Sequence, residues 1–208
     1  MAAWLGLVLV SVGYLGPWIP HRSAALLVTG LELAEFAKFF PQAQSHGLAV
    51  RAFFYLPLIA GLILFSLFAG RARSRLLRWA IALGSGFLLL TMLLPYAVVE
   101  STRHALATRT PLTIDPPYLR QLILLAVGAF LTLLTPLSGS LPARTRSALV
   151  IALALVGALP ALYQFLRFRP LVSALYGAPV GIGWGVSVCA LGFASLLVSA
   201  VGSAPAET

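Results

Sequence analysis

The polar residues best placed for chemistry in this chain are two glutamates and a lysine inside an apolar stretch. Residues 29–41 read TGLELAEFAKFFP, in which Glu32, Glu35 and Lys38 recur at intervals of three. Because an α-helix turns about 100° per residue, this spacing places the three side chains in one sector of a helix. Carboxylates held within a membrane are candidates for ion or proton coupling, whereas carboxylates on its surface are candidates for docking a partner.

Other residue types that carry chemistry are sparse. His21, His46 and His104 lie outside the apolar runs of the chain, which disfavours ligation of haem or chlorophyll within the membrane. Ser85 is flanked by glycines, as an intramembrane serine nucleophile is, but no histidine follows in a later apolar run to act as its base. Cys189 is the one cysteine, and the sequence has neither metal-ligand spacing nor a phosphate-binding glycine loop. We therefore expect no enzymatic activity, no metal and no cofactor.

The composition is that of an integral membrane protein. Of the 208 residues, 60% are hydrophobic and 9% are charged, whereas soluble domains carry roughly 25% charged residues. Apolar runs of about 20 residues predict an all-α, polytopic helical bundle of about six transmembrane helices. The predicted spans are about 3–19, 52–70, 79–99, 119–137, 148–166 and 180–202, in a single transmembrane domain over residues 1–208.

Residues 23–41, between the first two runs, are predicted to form one amphipathic helix. Ser23 is suited to cap its start, and Pro41 is expected to end it. The helix has three placements: flat on the outer surface, re-entrant against the bundle, or fully across the membrane. In a full crossing, Glu32 would lie near mid-membrane at a cost of about 3 kcal/mol unless it is paired or protonated. We favour the surface placement, with six spans and both termini on one side. A seventh span would put the N-terminus outside.

Arginines in the short loops predict the orientation. The loops after the second and fourth runs lack acidic residues, so both are expected to be cytoplasmic. Their arginines are Arg71, Arg73, Arg75, Arg78, Arg144 and Arg146. The C-terminus is then cytoplasmic and residues 100–118 face outward, whereas Arg167 and Arg169 count more weakly against this scheme. The net charge of +9 is expected to contact the lipid bilayer and not nucleic acid.

The sixth run carries small residues at intervals compatible with one helical side. They are Gly181, Gly185, Gly192, Ser195, Ser199 and Gly202. Small side chains allow two membrane helices to approach closely. This face either packs against another helix of the same chain or docks onto another membrane subunit, and the sequence leaves both alternatives open.

Three functions are compatible with these features. The first is a membrane-embedded subunit of a larger transport-type complex, permease-like or accessory, which works with a separate ATP-binding or solute-binding protein. The second is a structural subunit of a respiratory or photosynthetic complex that packs lipid, quinone or pigment. The third is a membrane enzyme that acts on lipid at the outer face through Glu32, Glu35, His46 or His104. The arginine bias is typical of a bacterial protein, so we expect the cell inner membrane, and we favour the first function.

Overall fold

The computed structural model describes residues 2–20, 27–37, 40, 51–70, 72 and 74–202. Helices form almost all of this part of the chain, together with one small antiparallel sheet. In chain order the elements are α1 (Ala2–Leu15), β1 (Pro17–Ile19), β2 (Val28–Thr29), α2 (Gly30–Phe36), a 3-10 helix (Arg51–Tyr55) that continues into α3 (Leu56–Ala69), α4 (Arg75–Leu93), α5 (Tyr96–Thr108), α6 (Pro116–Leu134) with a 3-10 extension (Thr135–Ser140), α7 (Ala143–Tyr176) and α8 (Trp184–Gly202).

Five helical segments are long and apolar enough to cross a membrane, in agreement with the predicted all-α membrane bundle. They are Arg51–Ala69, Arg75–Leu93, Pro116–Ser140, Ala143–Tyr176 and Trp184–Gly202. Helix α1 is a shorter apolar helix of 14 residues, which corresponds to a length of about 21 Å. The helix predicted over residues 3–19 therefore ends early, because Pro17 begins a strand that pairs with β2.

Helix α7 is longer than the predicted span 148–166. It has 34 residues, or about 51 Å, and it continues through Pro160 and Pro170 to a left-handed Gly177. The loop expected around Arg167 and Arg169 is thus helical. One face of α7 stays buried beyond the predicted end, and this packing maintains the helix where two prolines and two arginines suggest a stop.

The predicted span 79–99 is divided at Pro95. Helix α4 ends at Leu93, and Pro95 is the N-cap of α5, which occupies much of the segment expected to be an outward loop. A proline lacks the amide that would continue the helix. The side-chain amide of Gln121 donates to the carbonyl of Leu93 at 2.6 Å, so the break leaves that carbonyl satisfied.

Helix α2 is much shorter than the helix predicted over residues 23–41. It has seven residues, which span about 10 Å, so it cannot cross a membrane. Val28 and Thr29, which were expected to be helical, form a strand against Pro17–Ile19. The cap of α2 is Thr29, whereas the predicted cap Ser23 and the predicted stop Pro41 lie outside the described residues.

The chain divides into two compact units, residues 1–65 with 140–208 and residues 66–139. In the first unit, α1 and α8 pack antiparallel with glycines at the contact. A Cβ on Gly192 would lie 2.8 Å from the carbonyl oxygen of Gly6, and a Cβ on Gly185 would lie 2.7 Å from that of Gly13. Gly185 and Gly192 therefore bring two helices of this chain together.

The second unit is built on the contact between α4 and α6. The buried residues of α4 recur at helical spacing and include Ala82, Leu89 and Leu93. Buried hydroxyls at the end of α6 donate to carbonyls of their own backbone, as Thr132 does to Gly128 at 2.7 Å. Thr135 does the same to the carbonyl of Thr132 at 2.7 Å, so polar groups in this apolar segment are hydrogen-bonded.

Candidate functional site

A cap covers one end of the first unit, where α1, α3, α7 and α8 begin or end. We define the cap as the described residues among 16–40, together with 51–55 and 165–183. The strand residue Trp18 is fully buried at its centre. The Trp18 indole N–H donates to the carbonyl of Gly13 at 3.1 Å, and its ring packs perpendicular to that of Phe165, with the two centroids 5.5 Å apart. The Trp18 carbonyl accepts from the amide of Gly183 at 2.8 Å, which holds the start of α8 against the sheet.

An aromatic cluster joins α2 to the far end of α7. Phe168 is fully buried on α7. The centroid of its ring lies 6.3 Å from that of Phe36, 4.9 Å from that of Phe40 and 6.1 Å from that of Phe54. The Tyr14 hydroxyl, also buried, donates to the carbonyl of Phe54 at 3.0 Å. The cap therefore has an apolar core of its own, built from residues that are far apart in sequence.

A second set of contacts involves Glu35, Arg51 and Tyr55. The Nη2 group of Arg51 forms an ion pair with Oε1 of Glu35 and donates to the Tyr55 hydroxyl at 3.0 Å. The Tyr55 hydroxyl in turn donates to the same Glu35 oxygen at 2.9 Å. The Arg51 side chain is 13% exposed and the Glu35 side chain 53%, so the arginine lies below the surface and the carboxylate at it. These contacts tie the end of α2 to the start of the α3 segment.

Glu32 has a different role from Glu35, although the two lie on one short helix. Its carboxylate accepts from the backbone amide of Thr29 at 2.8 Å, and the Thr29 hydroxyl accepts from the amide of Glu32 at 3.3 Å. This reciprocal pair is a capping box, which satisfies amides at the helix start. Glu32 and Glu35 therefore contribute to two separate sets of contacts.

The remaining predicted site residues are distributed over both units. Lys38, His21, His46, Arg71 and Arg73 lie outside the described residues. His104 is exposed on α5, Arg75 is exposed at the start of α4, and Arg78 is half-buried beside Gly139. Arg144 and Arg146 begin α7. Gly181 precedes α8, and Ser195 and Ser199 donate to backbone carbonyls of α8 itself.

Arg51 and Tyr55 are the members of this site that sequence reasoning missed. Arg51 immediately precedes the apolar run that begins at residue 52, where an arginine is usually counted as a topology signal. A usable signal was present, since residues four apart face the same side of a helix and Tyr55 follows Arg51 by four. The pairing of Arg51 and Tyr55 with Glu35, across sixteen and twenty positions, has no local signal.

Within the described ranges, no group of three or more His, Cys, Asp or Glu residues is close enough to hold a metal ion. Comparison with protein-family models, with curated proteins and with solved structures gave no match.

Tyr55→Phe tests whether the Glu35–Arg51–Tyr55 contacts stabilise the cap. The phenylalanine keeps the buried ring but loses the hydroxyl that links the two charged groups, so we expect a loss of about 1–2 kcal/mol. Thermal unfolding of the purified protein in detergent measures this loss. Tyr96→Phe, at an exposed tyrosine on α5, is the matched control and should leave the midpoint unchanged. Equal midpoints for the two variants would show that the hydroxyl contributes nothing.

Thr29→Ala tests the capping box of α2. Loss of an N-cap hydroxyl costs about 1 kcal/mol. We expect faster amide exchange confined to α2, because the Thr29 hydroxyl acts on the first turn of that helix. Hydrogen–deuterium exchange with mass spectrometry measures the effect. Thr113→Ala, at an exposed threonine in the segment before α6, is the control. Unchanged exchange in α2 would contradict this role of Thr29 and Glu32.

Proposed function

We propose that this protein is a membrane-embedded subunit of a larger transport-type complex and that its cap docks a partner polypeptide at the outer face of a bacterial inner membrane. In this scheme α1 crosses the membrane together with the five longer helical segments, which makes six crossings. Helix α2 lies at the interface between membrane and water, and both termini are cytoplasmic. The partners of this protein in the complex include a separate ATP-binding or solute-binding protein. The protein itself contributes a scaffold and carries out no reaction.

The pairing of α1 with α8 supports six crossings. Gly6 lies against Gly192 and Gly16 against Trp184, so α1 follows α8 over most of its length. Helix α8 is one of the helices long and apolar enough to span. A helix that is packed alongside a span lies at the same depth, and the strand residues after Leu15 add length to α1.

The arginines support the orientation. The cap is at the end of α7 opposite Arg144 and Arg146, and those arginines are expected in the cytoplasm. Arg167 and Arg169 then lie outside as part of the α7 extension. Arg169 Nε donates to the carbonyl of Val180 at 2.6 Å, so its position has a structural reason independent of topology.

The observation that carries the docking function is the way the cap is held. An aromatic core, a β-strand pairing and the Glu35–Arg51–Tyr55 contacts fix α2 to helix ends of the same unit, and the capping box holds its first turn. An element held in this way is pre-organised, which lowers the entropy lost on binding a partner. The involvement of both carboxylates in folding contacts also gives them a use other than ion coupling or lipid chemistry.

Co-purification from native membranes tests this function. The chain is extracted in a mild detergent, and the associated proteins are identified by mass spectrometry. We expect a stoichiometric partner that is retained by the wild type and lost in the variant Leu27→Glu, Ile182→Glu, which alters exposed positions of the cap. The matched control is Leu112→Glu, an exposed leucine of the second unit.

The outcomes separate the three functions considered for this chain. A partner with ATPase activity supports a transport-type complex. A complex that carries pigment or quinone absorbance favours a respiratory or photosynthetic subunit. A chain that is isolated alone, and whose folded yield is unaffected by the cap variant, contradicts docking at the cap.

A further inference from the structure

An open groove of about 680 Å³ lies on α5 in the second unit. Its lining is apolar except for two residues, Thr102 and Arg103. The full lining comprises Leu94, Val98, Val99, Thr102, Arg103, Leu106 and Ala107. The groove therefore combines an apolar floor with a single cationic group.

Part of the apolar face of α5 is exposed on the surface of the second unit. Val98 is buried, whereas Val99 is 45% exposed and Leu106 is 76% exposed. Arg103 lies between these two exposed residues on the same side of the helix, since its position differs from theirs by four and three residues. Glu100 and His104 are not among the lining residues, so Arg103 is the one charged residue of the lining.

We propose that this groove binds an anionic phospholipid, with the acyl chain along Val98, Val99 and Leu106 and the phosphate on the guanidinium of Arg103. The position of α5 in the chain identifies a lipid as the occupant. Helix α5 begins three residues after α4 ends at Leu93, and α6 begins at Pro116. Both neighbours are long and apolar enough to span, and a segment that connects two spans lies at a membrane surface, where the headgroups are.

The hydrogen bonds of the groove assign the phosphate to Arg103. The Thr102 hydroxyl donates to the carbonyl of Val98 at 2.7 Å, so its proton is already engaged. An arginine offers five N–H donors in a planar fork that matches phosphate oxygens, and its aliphatic stem packs on apolar surface. One exposed arginine binds a free phosphate only weakly. The apolar floor is what makes a whole lipid the better ligand.

Native mass spectrometry of the full chain with added lipid tests this site. Phosphatidylglycerol and phosphatidylcholine of the same chain length are titrated separately against the detergent-solubilised protein. We expect tighter binding of phosphatidylglycerol, and Arg103→Gln should weaken it about fivefold, which is roughly 1 kcal/mol for one arginine near an anionic surface. Leu106→Ser should weaken both lipids, because it removes part of the apolar floor. It is exposed, so the substitution should leave the fold intact.

Arg120→Gln is the matched control. Arg120 is an exposed arginine near the start of α6 and does not line the groove. If Arg103→Gln and Arg120→Gln weaken phosphatidylglycerol equally, the attraction is general and no site exists on α5. If glycerol phosphate binds as tightly as phosphatidylglycerol, the apolar floor has no role and the assignment of a lipid is wrong. Co-purification of partners at the cap is a separate readout, so this result does not depend on the docking function.

Discussion

Gly13→Ala is expected to disrupt the contact between α1 and α8. A Cβ at Gly13 would lie 2.6 Å from the Cα of Cys189 and 2.7 Å from the carbonyl oxygen of Gly185. Both are backbone atoms, which cannot rotate away, so the two helices would have to move apart. Because membrane helices associate through close packing and not through exclusion of water, we expect a loss of about 3 kcal/mol or more.

Thermal unfolding followed by tryptophan fluorescence in detergent measures the Gly13→Ala effect. Trp18 and Trp184 report on this end of the unit, since the Trp18 indole bonds to the carbonyl of Gly13 and Trp184 lies against Gly16. Gly202→Ala on α8 is the control, because nothing lies within 4 Å of its Cβ position. A wild-type midpoint for Gly13→Ala would show that the α1–α8 contact has room for a Cβ at this position.

Phe168→Ala is expected to have the second large effect, centred on the cap. Phe168 is fully buried and lies against three aromatic rings, those of Phe36 in α2, of Phe40 four residues further on, and of Phe54 in the 3-10 helix before α3. Its removal loses transfer free energy and leaves a cavity that the surrounding rings cannot fill, at a cost of about 3–5 kcal/mol. We therefore expect the cap to unfold below the temperature at which the bundle does.

Limited proteolysis distinguishes loss of the cap from loss of the bundle. Cleavage within α2 and within Arg51–Tyr55 should accelerate in Phe168→Ala while the long apolar helices stay protected. Tyr163→Ala is the control, since Tyr163 is an exposed aromatic residue on the same helix and surface changes usually stay within about 0.5 kcal/mol. Equal cleavage in the two variants would mean that Phe168 does not hold the cap together.

Hydropathy alone located most of the helices. The runs that became α3 with the 3-10 helix before it, α6 and α8 were predicted to within four residues, because about 20 consecutive apolar residues leave few alternatives to a helix. Prediction failed at α7, where Pro160, Pro170 and two arginines resemble a helix end. Local sequence cannot show that Phe168 and Val172 are buried by other elements, and that burial is what continues the helix.

The candidate site was likewise predicted only in part from the sequence. Sequence reasoning selected Glu32 and Glu35 because charges are rare in this chain, but it treated them as one set. The structure separates them, because the helix begins at Gly30 and places Glu32 in the capping box while Glu35 reaches Arg51. The helix start depends on the pairing of β1 with β2, which joins Pro17 to Thr29 and has no periodic signal.

By itself, the sequence indicated an all-α chain with helices apolar enough for a membrane bundle, and it indicated where most of those helices lie. These features follow from composition and from contacts within a few residues along the chain. Only the tertiary structure shows which distant residues are in contact. These contacts are Gly13 with Cys189, Phe168 with the rings of the cap, and Glu35 with Arg51. The physical reason is that each of these contacts joins segments far apart in sequence, and a one-dimensional pattern carries no information about which distant surfaces fit together.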